Sequence, residues 1–119
     1  SAVEWNGKKQ KDTSGEENTI AIPGFEKVTL YANETKQAVN FHNPEINDCY
    51  FKISLIHPDG SVLWISDLIE PGKGMYSIEL EKTLAVGEYE NAVLKYECFS
   101  LNDQSPLNGS EINLKLVVV

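Results

Sequence analysis

The stretch Cys49–Ser66, CYFKISLIHPDGSVLWIS, decides the fold class of this chain. A strand is predicted over Cys49–His57, where apolar and more polar side chains alternate with the two-residue period of a strand that has one buried face. The segment Pro58–Gly60 then supplies a turn, because proline presets φ, aspartate bonds to nearby backbone and glycine accepts a positive φ. The apolar run that follows, within Ser61–Ser66, returns as the partner strand. This stretch therefore predicts a β-hairpin.

The same pattern of short strands and turns continues on both sides of the hairpin. Short alternating runs are separated by Gly, Pro, Asn and Asp clusters about every 8–12 residues, the spacing of an all-β domain. Further strands are predicted over Phe25–Tyr31, Lys36–His42, Met75–Leu80, a long run that ends at Cys98, and Glu111–Val119. Ser100–Ser110 is predicted to be a long hairpin tip, and Glu79–Ala85 is the one place where a short helix fits. We expect an all-β fold of about seven strands that pack as two antiparallel sheets.

The N-terminal part of the chain has a different composition. Residues 1–19 read as a polar flexible linker and residues 20–119 as the folded domain, because the polar run Asn6–Asn18 offers too little apolar surface to offset its ordering entropy. Ala2, Val3 and Trp5 are exceptions, and whether they dock on the domain is left open. A polar tether ahead of a compact domain is common in proteins anchored at a cell surface.

Two sets of residues carry a resemblance to known proteins. Leu84, Gly87 and Tyr89 stand in the relation found at the corner into the penultimate strand of immunoglobulin-like domains. The chain also resembles small secreted or lipid-anchored immunoglobulin-like proteins of Gram-positive gut bacteria in Ile22–Phe25, Asn43–Pro44, Cys49–Phe51, Leu68–Gly72, Tyr96–Leu101 and Pro106–Gly109. The resemblance implies an immunoglobulin-like two-sheet sandwich in an extracytoplasmic protein, secreted or anchored to the cell surface. It implies no activity.

Composition excludes several classes of function. The 119 residues carry a net charge of −8, and all ten basic side chains are lysines. Nucleic-acid binding relies on clustered Lys and Arg that neutralise phosphates, so a nucleic-acid partner is not expected. No apolar run approaches the roughly 20 residues of a transmembrane helix. The abundance of Lys, Asn and Ile without Arg fits the codon usage of an AT-rich genome and is consistent with a Gram-positive source.

Cys49 and Cys98 are too far apart in sequence for a CxxC redox or zinc motif. In an immunoglobulin-like order they lie at adjoining ends of two antiparallel neighbours, and we expect Cys49 directly opposite Cys98. Two interpretations fit: a cross-strand disulfide, which would stabilise a loop of about 50 residues by roughly 4 kcal/mol, or two buried thiols.

The sequence contains few candidate catalytic residues. His42 and His57 are the only histidines, one predicted on an outward strand face and the other at a strand end, and neither is matched with a nucleophile. The carboxylates are spread along strands and turns in the manner of a solvated surface. We therefore expect no enzyme activity, no cofactor and no metal site.

A binding surface is the remaining interpretation. The candidates are the aromatic residues Trp64, Tyr50 and Phe99 and the loop residues Asn102 and Asp103. We expect a binding or structural module whose partner is a protein or a glycan at the cell surface, contacted at the Cys98–Ser110 end or along an exposed strand edge. A carbohydrate-binding module would need Trp64 or Tyr50 exposed beside a shallow groove, whereas Trp64 as core filler is the alternative. Val117–Val119 is predicted to be an edge that permits weak self-association.

Overall fold

The computed structural model describes residues 3–4 and 27–119, and within them the chain is all-β without a helix. A two-residue strand precedes seven longer ones. The strands are β1 (Val3–Glu4), β2 (Lys27–Leu30), β3 (Lys36–His42), β4 (Cys49–Ile56), β5 (Val62–Ile65), β6 (Lys73–Glu79), β7 (Gly87–Ser100) and β8 (Pro106–Val118). In this part of the chain, no helix has the length and apolar character needed to cross a membrane. The prediction of an all-β chain with about seven strands is confirmed.

The strands form two sheets. The larger sheet has the order β2-β8-β7-β4-β5, and the smaller one has the order β1-β6-β3. All strand pairs are antiparallel except β2 and β8, which run parallel over Lys27–Leu30 and Lys115–Val118, so the prediction of two purely antiparallel sheets is wrong at this pair. The predicted hairpin of β4 and β5 is present, with a register shift near its turn. The connection Glu79–Ala85, where a short helix was considered, is not helical.

The buried side chains of the two sheets form one core. On β4 the inward residues Phe51, Ile53 and Leu55 are fully buried, which follows the two-residue period read from the sequence. Phe41 on β3 contacts Trp64 on β5 with ring centroids 5.7 Å apart, so this pair joins the smaller sheet to the larger one. Aromatic contacts of this geometry add to the stabilisation that comes from burial alone.

The hairpin of β7 and β8 differs from its prediction. The expected long tip, Ser100–Ser110, is shortened to a turn of Leu101–Ser105, and β8 begins at Pro106. A register shift lets β8 continue through Asn108 and Gly109, since Tyr96 pairs with Ser110 while Cys98 pairs with Leu107. At this bulge Gly109 lies so close to the carbonyl oxygen of Tyr96 that a Cβ atom would clash with it. The Asn-Gly sequence that suggests a loop is therefore a bulge within a strand.

The C-terminal residues are not an edge, contrary to the prediction for Val117–Val119. Val117 and Val118 lie in β8, which pairs with β7 on one side and with β2 on the other. In the larger sheet the outermost strands are β2 and β5. The predicted linker of residues 1–19 lies outside the described residues except for Val3–Glu4, which pair with Lys73 and Gly74 of β6.

Candidate functional site

Two of the predicted binding residues form a cross-strand pair on the outer face of the larger sheet. Tyr50 of β4 and Phe99 of β7 are directly opposite each other, and both rings are half-buried. The same outer face continues with Lys52 opposite Glu97. Directly opposite side chains on one face of an antiparallel pair are in contact range, and aromatic pairs stabilise a sheet. Tyr50 and Phe99 together form an aromatic surface bordered by charged residues, which we name the Tyr50–Phe99 surface.

Buried amides hold the start of β4 beneath Tyr50. The Asn43 side-chain nitrogen donates to the carbonyl oxygens of Cys49 and Ile69, both at 2.8 Å. Asn47 in turn donates to the Asn43 side-chain oxygen at 2.9 Å. Buried polar groups with complete hydrogen bonding make a rigid support, because any displacement would leave a donor or acceptor unsatisfied. The position of Tyr50 is therefore fixed by buried amides and does not depend on an exposed loop.

The turn that contains Asn102 and Asp103 lies next to Phe99. The amide of Gln104 donates to the Ser100 carbonyl, and Gln104 adopts a left-handed φ of 59°. The Asp103 carboxylate accepts from the Ser105 amide at 3.0 Å, and the hydrogen bonds from Ser105 lower the pKa of Asp103. Asp103 therefore stays ionised and shapes the turn, while Asn102 is exposed beside it.

Shallow hollows flank the Tyr50–Phe99 surface on both sides. One, of about 390 Å³, is lined by Tyr50, Leu68, Glu70, Lys73 and Gln104. The other, of about 500 Å³, lies over the bulge of β8 and includes Phe99, Pro106 and Leu107 among its lining residues. Both hollows are lined by charged as well as apolar residues, and each includes one ring of the aromatic pair.

Trp64 is not part of this surface. Its side chain is only 8% exposed and packs on Phe41, as the interpretation of Trp64 as core filler expects, so it does not offer the exposed platform that a carbohydrate-binding module would need. The side chains of β5 do not alternate, because Leu63 and Trp64 are buried while Val62 and Ile65 are exposed. The register shift between β4 and β5 breaks the two-residue period at this point.

Cys49 and Cys98 are both buried free thiols, so the disulfide interpretation is not supported. The expected register is wrong by two residues, since Cys98 pairs with Phe51 and Cys49 pairs with Ser100. The two cysteines are therefore diagonal neighbours, with Cα atoms about 7–8 Å apart in an ordinary sheet, at or beyond the span of a disulfide. A hydrogen bond between the two side chains raises the pKa of Cys98, and burial raises it further.

Other buried polar groups lie in the core. The Tyr96 hydroxyl has no hydrogen-bond partner within the described residues, and burial raises the pKa of Tyr96. His42 was expected on an outward face, yet it is 1% exposed, and burial lowers its pKa to about 4. His57, in contrast, is paired with Asp59 at 3.1 Å in the turn after β4.

Among residues 3–4 and 27–119, no group of three or more His, Cys, Asp or Glu side chains is placed to hold a metal ion.

Sequence reasoning missed Lys73, Gln104 and Leu107 as parts of the surface. Lys73 is distant in sequence from Tyr50 and begins a strand of the smaller sheet, so that only the tertiary structure brings it to the same hollow. Leu107 was assigned to a loop, although its position opposite Cys98 makes it a strand residue. The sequence carried no signal for Leu107, because a single exposed leucine is ordinary on a protein surface.

The chain matches no protein-family model, no curated protein and no solved structure.

Proposed function

We propose that this chain is a non-catalytic binding module that acts outside the cytoplasm, at the surface of a Gram-positive bacterium. The Tyr50–Phe99 surface makes the principal contact. The observation that carries the proposal is the direct pairing of these two aromatic residues between two hollows, on a rigid sheet. Aromatic residues at the centre of a polar-rimmed patch are the usual anchors of protein interfaces.

The fold that we propose for this module is an immunoglobulin-like sandwich. Two features support it. The parallel pairing of β2 with β8 leaves β8 between β2 and β7, while the remaining neighbours are antiparallel. The Tyr89 hydroxyl at the start of β7 donates to the Ala85 carbonyl at 2.8 Å, which is the backbone contact of the tyrosine corner in immunoglobulin-like domains.

A protein partner is the leading interpretation because charged residues of both signs border the aromatic pair. Glu70 and Lys73 line the hollow beside Tyr50, and Glu111 lines the one beside Phe99. Charges at the rim of an interface select a partner and steer its approach, whereas the apolar centre supplies most of the affinity.

A glycan partner is the second candidate, favoured by the aromatic pair itself. Two neighbouring rings on a flat sheet offer an apolar surface on which the C–H face of a sugar ring can pack. In this interpretation Tyr50 and Phe99 form the platform, and the amide side chains of Asn102 and Gln104 would bond to sugar hydroxyl groups.

Binding of the fluorescently labelled chain to intact Gram-positive cells tests the proposal. We expect saturable binding that falls at least tenfold for Tyr50→Ser and for Phe99→Ser, because anchor residues commonly contribute more than about 1.4 kcal/mol. The matched control is Tyr31→Ser, which removes an exposed tyrosine at the end of β2 and should leave binding unchanged.

Two treatments of the cells separate the candidate partners. Loss of binding after protease treatment indicates a protein, and loss after periodate oxidation indicates a glycan. Absence of saturable binding, or an equal loss for Tyr31→Ser, would refute the proposed surface.

A further inference from the structure

A second surface lies on another side of the core, where β5 meets β6. A hollow of about 380 Å³ opens between these two strands. Its apolar lining is Trp64, Ile65 and Met75, and its charged lining is Lys36, Asp67 and Glu79. Ile65 is 51% exposed there, although it is an isoleucine in a strand. Ile65 therefore leaves apolar surface exposed at the hollow.

The backbone of β6 presents an unpaired edge to this hollow. The Leu80 amide donates to Thr35 beside β3, and the Glu81 amide donates in the opposite direction, to Leu63 of β5. Successive residues of a strand direct their N–H and C=O groups to opposite sides. The backbone N–H and C=O groups of Ser77 and Glu79 therefore point away from β3. Within residues 3–4 and 27–119, no strand pairs with β6 at Ser77 or Glu79 on that side.

The facing edge of β5 is similar. The Ser66 amide donates to Ile53 of β4, so Ile65 directs its backbone groups outward, towards the hollow. The bond between Glu81 and Leu63 brings the two strands together at one point, and they separate from there to enclose the hollow. Two strand edges that face each other across a groove are a template for an added strand.

Strand β1 shows that this side of β6 accepts such an addition. Val3 and Glu4 pair antiparallel with Gly74 and Lys73, immediately before the unpaired segment. We propose that the Ser77–Glu79 edge binds an extended strand of a partner protein, added antiparallel to β6 in line with β1. Strand addition of this kind takes its affinity from main-chain hydrogen bonds and its specificity from pockets for alternate side chains.

The lining defines the chemistry of the added strand. Its inward side chains would contact Ile65 and Met75, which favours small or β-branched apolar residues. Two carboxylates, Asp67 and Glu79, line the hollow against a single Lys36, and the whole chain carries a net charge of −8. The partner segment is therefore an alternating apolar and polar strand with basic flanks, because opposite charge favours its approach.

The probe that tests this inference is a capped peptide of about eight residues, in which valine and threonine alternate between terminal lysines. Hydrogen exchange of backbone amides is measured by NMR with and without the peptide. We expect the Ser77 and Glu79 amides to exchange at least tenfold more slowly in the complex, since the added strand accepts their protons. The same peptide with a central proline lacks one donor and serves as the negative probe.

Paired variants locate the contact. Ile65→Asp should weaken peptide binding at least tenfold, whereas Val62→Asp, at the other end of β5 and outside the hollow, should change it less than twofold. Tyr50→Ser should leave peptide binding unchanged, which separates this inference from the function proposed above.

Three results would overturn the inference. The first is no binding of the alternating peptide, and the second is protection of amides on another edge. The third is slow exchange of the Ser77 and Glu79 amides in the free protein, because the edge would then already be covered.

Discussion

The two halves of the β7–β8 hairpin are built from the same antiparallel ladder, but β8 has opposite environments in them. In the closed half, Gly87–Leu94 with Ile112–Val118, β2 covers the edge of β8 over Lys115–Val118, and Leu114, Leu116 and Val118 are buried. In the open half, Lys95–Ser100 with Pro106–Glu111, β7 pairs with β4 and buries Tyr96 and Cys98, whereas every β8 residue is exposed. Backbone pairing is therefore not what makes a strand part of the core. Burial depends on which elements cover the faces and edges of the ladder, and only the uncovered segment of β8, Pro106–Glu111, is left available for recognition.

The largest expected effect on the free energy of unfolding comes from truncating Leu116 in the closed half, and Leu107 in the open half is its comparison. Leu116→Ala should lower the free energy of unfolding by about 2–5 kcal/mol, because Leu116 is 0% exposed and its truncation leaves a cavity. Leu107→Ala should cost less than about 1 kcal/mol, because Leu107 is 45% exposed. Urea unfolding followed by tryptophan fluorescence measures both values. Equal losses would show that the open half is as well packed as the closed one.

A pH titration tests whether the hairpin unfolds with the rest of the chain. Burial holds the pKa of His42 at about 4, below the ordinary value of 6.5, so the unfolded chain binds a proton that the folded chain refuses. Stability is therefore lost as the pH falls from 6.5 to 4, by about 3 kcal/mol in total at 1.36 kcal/mol per pKa unit.

The closed half should show this loss in its hydrogen exchange, because its amides open only in global unfolding, whereas the amides of the exposed β8 residues 107–111 should change little. His42→Gln should abolish most of the pH dependence of the free energy of unfolding between pH 6.5 and 4. His57→Gln, which removes the other histidine, should retain that dependence. An equal change of amide exchange with pH in both halves of the hairpin would contradict the comparison.

One tyrosine in each half provides a smaller contrast. Tyr96→Phe in the open half removes a buried hydroxyl that has no partner among the described residues, so the free energy of unfolding should rise by about 1 kcal/mol. Tyr89→Phe in the closed half removes the donor to Ala85 and should lower it by about 1 kcal/mol. Thermal unfolding of the two variants measures the difference. Equal shifts of the same sign would contradict the assignment of these hydroxyl groups.

The smallest effect concerns Cys98 and its diagonal neighbour Cys49. Titration with a thiol reagent under denaturing conditions, without reductant, should find two free thiols. The folded protein should react far more slowly, because both sulfur atoms are buried and the pKa of Cys98 is raised. A disulfide in the isolated protein would show that the β4–β7 register moves by enough to bring the Cα atoms within bonding range.

Much of the fold was predictable because strand signals are local. The strand Lys36–His42 matches its prediction in both bounds, and β4 differs by a single residue at its end. The candidate site was predictable only in part. Tyr50 and Phe99 come together because antiparallel neighbours bring their ends side by side, but the burial of Trp64 depends on a bulge that the alternation of side chains does not reveal.

The pairing of the two cysteines also could not be predicted from the sequence. A shift of one residue would turn every side chain of β4 to the other face, and the apolar pattern excludes it. A shift of two residues keeps every side chain on its own face, so the pattern is satisfied equally well. The sequence therefore placed Cys49 and Cys98 on the correct, buried face but not in the correct pairing.

By itself, the sequence determined the class of the fold and most of the strands. Alternation with a period of two and turns rich in Gly, Pro, Asn and Asp act within a few residues of backbone, so they can be read without any knowledge of the partners. Only the tertiary structure decided the register of β4 on β7, the bulge at Gly109 and the covering of β8 by β2. Each of these depends on contacts between residues far apart in sequence, and those contacts determine which surfaces remain open for binding.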